Sequence, residues 1–356
     1  MRDFLIFGHN YIGDVLMLTP AIRALKLKFP ESRIVLVVSP GASPVLKRNP
    51  DIWRIVDSGK IKGIMGILGV LNLFLRLRRL KSKELGITKF YICINFLTSF
   101  KFSVIGSLLS KKQIGQDKGI NNIFLHDKIK FEKNMHNVDK SLKFIEPFYI
   151  SEKYFSRDYV YEVSEKDIKN AENILKNSFN DYSRVENFKF VLFSPCSTRK
   201  SKEANPELFS LFADYLNAKG FYVVISGAKK NEGTSKKIYE MIENKYMSVN
   251  LTGLTDIFIL GGIIKRAAIV VSVDNGVMHM SSAIKTPLIA LFGSTDPTIC
   301  GPITSNKTYV IDKKKECYHC FRKNCSGDGF GKNGIPDCMD FIMLDDLKEG
   351  AKKLLE

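Results

Sequence analysis

The chain has 356 residues, 45% of them apolar and 26% charged, with a formal net charge of +17. This is the composition of a globular protein long enough for two α/β domains. The longest apolar run, Gly63 to Leu75, is about 13 residues against the roughly 20 of a membrane span, which excludes a crossing helix. The positive charge suits an acidic partner (nucleic acid, an anionic membrane surface or a phosphorylated substrate), or else a lysine-rich solvated surface.

In chain order, Phe4 to Phe7 reads as a strand, Val15 to Lys28 as a helix and Arg33 to Ser39 as a second strand. Ile52 to Val56 is a short strand, followed by a Lys62 to Lys83 helix. The end of that helix, Arg76-Leu77-Arg78-Arg79-Leu80-Lys81-Ser82-Lys83, fits an interfacial helix or a core helix with a basic tail. Phe90 to Asn95 is a further strand and Thr98 to Leu109 a helix, while Gln113 to Arg157 is less regular. A helical period runs from Ser164 to Phe179, and a polar connection follows.

A second alternation then begins. Its strands are Phe188–Phe193, Tyr222–Ser226 and Val249–Leu251, and its helices Glu207–Lys219, Thr234–Asn244 and Ile257–Arg266. Ile269 to Val273 is a β-branched strand ending in Asp274-Asn275-Gly276, a turn that needs permissive backbone angles. A helix from Val277 to Ile284, a strand from Leu288 to Phe292 and a second glycine turn, Gly293 to Pro297, complete this stretch. Phe341 to Leu355 reads as a last helix. The alternation predicts parallel sheets with helices on both faces. Polar loops at one sheet edge, one of them opening a helix N-terminus, outline a nucleotide or phosphate site.

The stretch VSVDNGVMHMSSAIKTPLIALFGSTDP resembles the C-terminal signature of the heptosyltransferase-type glycosyltransferases, glycosyltransferase family 9. Gly13-Asp14-Val15-Leu16-Met17-Leu18-Thr19-Pro20 resembles the same family's N-terminal motif. The resemblance implies the GT-B arrangement, two Rossmann-like domains whose parallel sheets face a central cleft. It places an acceptor-binding domain at 1–180, a nucleotide-sugar domain at 181–340, and a final helix at 341–356 that crosses back to the first.

The resemblance also assigns roles. Asp14 is the candidate base toward the acceptor hydroxyl, although by residue type alone it suits a helix N-cap. Lys202, in the loop Ser194 to Pro206, best matches the lysine that neutralises the leaving diphosphate, with Lys200 and Arg199 as substitutes for that role and Thr198 as an added hydroxyl donor. That loop lacks the family's usual tryptophan. Backbone N–H groups at Asn275, Gly276 and Val277 are the expected phosphate cradle, with Asn275 where Thr or Ser is usual. His279 either orients this turn or touches phosphate, and Asp274 holds it. Glu232 matches an acidic residue that holds the ribose, and otherwise reads as a helix-start carboxylate.

Cys317, Cys320, Cys325 and Cys338 form a cluster compatible with a structural zinc, in which His319 could replace one ligand. The C-x-x-C spacing is shared by many proteins, so no ligand set is assigned. The fingerprint of a dinucleotide enzyme lacks its middle glycine in Gly8-His9-Asn10-Tyr11-Ile12-Gly13, and no P-loop occurs. No nucleic-acid module is recognisable. The expected activity is inverting, metal-independent transfer of heptose from ADP-heptose to a lipopolysaccharide inner-core sugar, with no cofactor. A phosphorylated glycolipid acceptor and a cytoplasmic location, peripheral on an anionic membrane, accord with the charge. Another nucleotide sugar, or a member that binds donor without transferring it, remain the alternatives.

Overall fold

A computed structural model of the chain describes residues 2–59, 65–179, 188–303, 307–313, 319–322, 325 and 335–356. It divides into two units, Met1–Tyr161 and Glu162–Glu356.

The first unit contains β1 (Phe4–Phe7), α1 (Ile12–Leu16), α2 (Thr19–Lys28), β2 (Ile34–Val38), β3 (Arg54–Asp57) and α3 (Met65–Arg79). β4 (Phe90–Asn95), α4 (Phe100–Leu109), β5 (Ser110–Gln116), β6 (Asp127–Ile129) and α5 (Asn137–Lys143) complete it. Its sheet is parallel in the order β3-β2-β1-β4-β5-β6. β1 and β2 are buried along their whole length, as their unbroken apolar sequences FLIF and IVLVV require. A single helix over Val15–Lys28 is not what forms. The helix breaks at Met17-Leu18, where Pro20 cannot donate into a continuing turn and the Thr19 hydroxyl donates to the Leu16 carbonyl at 2.6 Å.

The second unit opens with α6 (Glu165–Ser178) and continues with β7 (Phe190–Ser194), α7 (Pro206–Ala218), β8 (Tyr222–Ile225), α8 (Glu232–Met241), β9 (Ser248–Asn250) and α9 (Ile257–Arg266). β10 (Ile269–Val273), α10 (Gly276–Ile284), β11 (Leu288–Phe292), α11 (Pro297–Cys300), β12 (Thr308–Asp312), α12 (Asp337–Asp340) and α13 (Leu344–Leu355) follow. The sheet order is β12-β11-β10-β7-β8-β9, again all parallel. Counted from each unit's own first strand, both sheets run 3-2-1-4-5-6. Winding reverses between β1 and β4 in one and between β7 and β10 in the other, and at such a switch point the loops part to leave a ligand crevice.

Packing assigns both α6 and α13 to the second unit, whereas the sequence reading ends the first domain at 180 and sends the last helix back to it. α6 starts with a Ser164/Asp167 capping box and lies on α9. Gly262 permits this close approach, since a Cβ there would come within 2.3 Å of the Asp167 carbonyl. α13 packs on α7, β11 and β12, burying Leu347 and Ala351.

Candidate functional site

In the first unit the loop from Gly8 to Tyr11 joins β1 to α1. Gly8 is needed for close packing, because a Cβ there would meet Val38 at 2.9 Å and Leu18 at 3.1 Å. Tyr11, not Asp14, is the N-cap residue of α1, and Asp14 lies in the first helical turn. The capping role that its residue type suggested is therefore absent. Asp14 is half-buried, and among the described residues no hydrogen bond or ion pair holds its carboxylate. His9 is its electrostatic neighbour: burial pushes the imidazole below its ordinary value, with the Asp14 charge pulling the other way. This is a carboxylate at a helix start, left free to act on something else.

In the second unit the loop after β7 meets the turn after β10. Lys202 reaches Asp274 across that gap, Nζ to Oδ2 at 2.5 Å, with side chains only 15% and 7% exposed. The Thr295 hydroxyl donates to the same Oδ2 at 2.7 Å, and the Cys300 thiol approaches it at 3.8 Å. Burial alone would raise the Asp274 pKa. Lys202, the buried His279 and the Thr295 hydrogen bond outweigh that effect and hold the carboxyl below its ordinary value.

Asn275 is the N-cap of α10. Its Oδ1 accepts from the Val277 N–H at 2.8 Å and the Met278 N–H at 3.2 Å, and from the Ser272 hydroxyl at 3.0 Å. Its Nδ2 donates to the Ser194 hydroxyl and to the Cys196 carbonyl, both at 2.9 Å. This changes the expected phosphate cradle in two ways. The Val277 N–H is engaged by the cap, and the Asn275 side chain is spent on tying β7 to β10. The turn also offers a ligand the dipole end of α10.

The remaining predicted residues lie around this core. Ser197 donates to the Asp274 carbonyl at 3.4 Å, and Arg199 starts the 3-10 turn Lys200–Lys202. Thr198 and Lys200 are exposed and Arg199 is half-buried, while the Lys202 side chain turns inward to Asp274. Glu232 is exposed in the first turn of α8, at the end of the loop after β8. Sequence reasoning missed Thr295, Ser194, Ser201 and Cys300. The Thr295 signal lay within the Gly293–Pro297 turn, but the serines and the cysteine carry no pattern of their own.

A further segment covers the loop. The Phe321 N–H donates to the Ser294 carbonyl at 2.7 Å, and the Ser201 hydroxyl to the Arg322 carbonyl at 2.6 Å. His319 lies between Asp296 and Asp312, at 3.2 Å from each. Cys338 is buried while Cys320 is exposed, and Cys317 lies outside the described residues. Among the described residues, no three His, Cys, Asp or Glu side chains group as a metal site.

With this geometry in place, comparison with known proteins is decisive. The family profile of glycosyltransferase family 9 (heptosyltransferase) matches residues 77–330. The chain belongs to that family.

It is thus a glycosyltransferase of the GT-B type. It is 25% identical over 315 residues to lipopolysaccharide heptosyltransferase 3 of Escherichia coli, covering 83% of this chain and 84% of that protein. It is also 25% identical to lipooligosaccharide heptosyltransferase 2 of Campylobacter jejuni, over 99% of this chain and 98% of the relative. The solved structure of E. coli ADP-heptose lps heptosyltransferase II superposes with a TM-score of 0.78 at 19% identity, over 100% of this chain and 98% of the other. The E. coli heptosyltransferase WaaC with ADP-2-deoxy-2-fluoro heptose gives 0.70 at 17% identity, with 99% of both chains covered.

Proposed function

We propose that this family 9 glycosyltransferase moves a heptose from ADP-heptose to an inner-core sugar of lipopolysaccharide, with inversion at the anomeric carbon and without a metal ion. The observation that carries the reading is the buried Lys202–Asp274 pair beside the N-terminus of α10, at the second sheet's switch point. The relatives named above, heptosyltransferases by name and one of them solved with ADP-2-deoxy-2-fluoro heptose, support the donor and the acceptor class.

In this reading the acceptor hydroxyl attacks the anomeric carbon as ADP departs from the opposite face, and Asp14 takes the hydroxyl proton. Charge gathers on the leaving diphosphate. Lys202 has three N–H donors, so it can hold Asp274 and still donate to a phosphate oxygen. The α10 dipole adds positive potential at the same place, which is the task a divalent ion performs elsewhere. Thr198, Arg199 and Lys200 line the approach of the diphosphate, and Glu232 holds the ribose. The units carry separate halves of the chemistry, deprotonation on the first and donor holding on the second. Among the described residues no helix is long and apolar enough to cross a membrane. A cytoplasmic enzyme that meets its glycolipid at the membrane surface fits that and the charge.

Calorimetric titration with ADP, UDP, GDP and NAD, with and without EDTA, tests the donor assignment. ADP should bind best, and EDTA should leave its affinity unchanged. Preference for UDP or GDP would reassign the donor, and loss of binding in EDTA would end the metal-independent reading.

A further inference from the structure

The fold accounts for one face of α3 and leaves the opposite face without a structural task. Leu73 and Leu77 are fully buried in the first unit's core with Leu5, Phe7 and Val37. Ile67, Leu68, Leu71 and Leu75 are instead 71%, 63%, 52% and 50% exposed. At about 100° per residue these four fall within one arc of roughly 100°, on the side away from Leu73 and Leu77. A surface helix normally turns charge to water there. Arg78 lies within that arc and Arg79 just beyond it, toward the C-terminal end of the helix. Neighbouring elements expose apolar side chains too. α4 packs beside α3 and exposes Leu108, and the 3-10 turn Gly119–Phe124 packs on α4 and exposes Ile120 and Ile123.

The charge of the chain is concentrated in the same segment. Residues 58–116 contain eleven Lys and Arg against Glu84 as the one acidic residue, which is ten of the chain's seventeen net positive charges. Arg76 donates to the carbonyl of Asp57, the last residue of β3, at 3.0 Å. The helix rises about 1.5 Å per residue, so the turns carrying Ile67, Leu68 and Leu71 extend past the strand-end edge of the sheet. Asp14 lies at that same edge, in the first turn after β1.

We propose that the exposed Ile67, Leu68, Leu71 and Leu75 face of α3 docks this protein onto an anionic lipid bilayer, with the aliphatic side chains inserted and Arg78 and Arg79 among the headgroups. Aliphatic insertion and electrostatic attraction reinforce one another in this geometry, because long basic side chains reach the interface while their stems stay apolar. Two copies pairing through this face would oppose like charges, and a nucleic acid has no use for four exposed aliphatic side chains. The proposal rests on the glycolipid reading of the acceptor only for its purpose: docking would present a lipid-anchored acceptor to the edge that carries Asp14.

The test is flotation of the full chain with vesicles of phosphatidylglycerol and phosphatidylethanolamine, or of phosphatidylcholine alone. The native protein should float with the anionic vesicles and stay behind with the neutral ones. Leu68→Asp/Leu71→Asp should lower partitioning about tenfold or more, and Arg78→Glu/Arg79→Glu should remove its anionic-lipid preference. Leu211→Asp, at an exposed leucine of α7, is the control and should float as the native protein does. Melting temperature and ADP titration, unchanged in every variant, separate docking from folding and from the donor site. Undiminished flotation of Leu68→Asp/Leu71→Asp overturns the proposal. So does a native protein that ignores anionic vesicles, or a native dimer that this variant dissociates. Failure of ADP to bind the native protein would count against the donor reading and leave the docking result standing.

Discussion

Each unit presents one aspartate at the switch point of a sheet wound in the same order, yet the two carboxylates are held in opposite ways. Asp14 is half-buried and bound by no described side chain, with His9 as its electrostatic neighbour. Asp274 is buried and held by Lys202 and Thr295, with the charge of His279 acting on it. The difference fits the two kinds of work proposed for them. A base must change its protonation state during turnover, so it cannot be locked in an ion pair. A carboxylate that positions a lysine for a phosphate must stay ionised, and burial with a fixed partner secures that.

The contrast can be broken most severely at Lys202. Lys202→Ala leaves a buried carboxylate without its cation and should cost about 3–5 kcal/mol in denaturant unfolding. Adding Asp274→Asn should recover a large part of that cost, as a double-mutant cycle would show. If Lys202→Ala alone is neutral, the pair is not what holds the second switch point together. Asn275→Ala should cost about 1–2 kcal/mol through the lost helix cap. Asn275→Thr, the more usual family residue, should restore the cap while losing the amide bonds to Ser194 and Cys196.

The acid limb of stability gives a smaller effect with a defined sign. The folded pKa of Asp274 is depressed, so its contribution is present above the ordinary carboxylate value of about 4. It is lost as pH falls through the lower folded value. Asp274→Asn should therefore show a shallower fall of stability in acid than the native chain, measured by circular dichroism. Glu232→Ala should be the mildest change. Its side chain is exposed, so melting should not move, while ADP affinity should weaken by a few-fold to about tenfold if it holds the ribose.

Most strands and helices were legible because their sequences alternate or run unbroken in apolar residues. Phe90–Asn95, Ile257–Arg266, Ile269–Val273 and Leu288–Phe292 fold over the ranges their patterns predict. β5, reading SKKQIGQ, gave no such signal. Its buried Gln113 occupies a core position by hydrogen-bonding the Ser103 carbonyl at 3.1 Å and the Phe124 carbonyl at 3.3 Å, so polarity there does not mean exposure. β12 is a partly exposed edge strand, and its half-buried residues do not alternate clearly. At the site, Lys202, Asp274, Asn275 and His279 were found through one motif and one loop. Their partners were not, because contacts such as Asn275 to Ser194 join residues far apart in sequence and involve serines of no distinctive spacing. The internal use of the Asn275 side chain was equally invisible, since a cap and a phosphate ligand call for the same residue types.

The measurement that tests the division of labour most directly is transfer from ADP-heptose by Asp14→Asn and Asp274→Asn, run beside ADP titration and melting of the same proteins. Asp14→Asn should melt and bind ADP as the native chain does while transfer falls by roughly 10²–10⁴-fold, the range for a lost general base. Asp274→Asn should lose donor affinity and thermal stability along with transfer. An Asp14→Asn enzyme that keeps its turnover, or one that fails by losing ADP, would contradict the account.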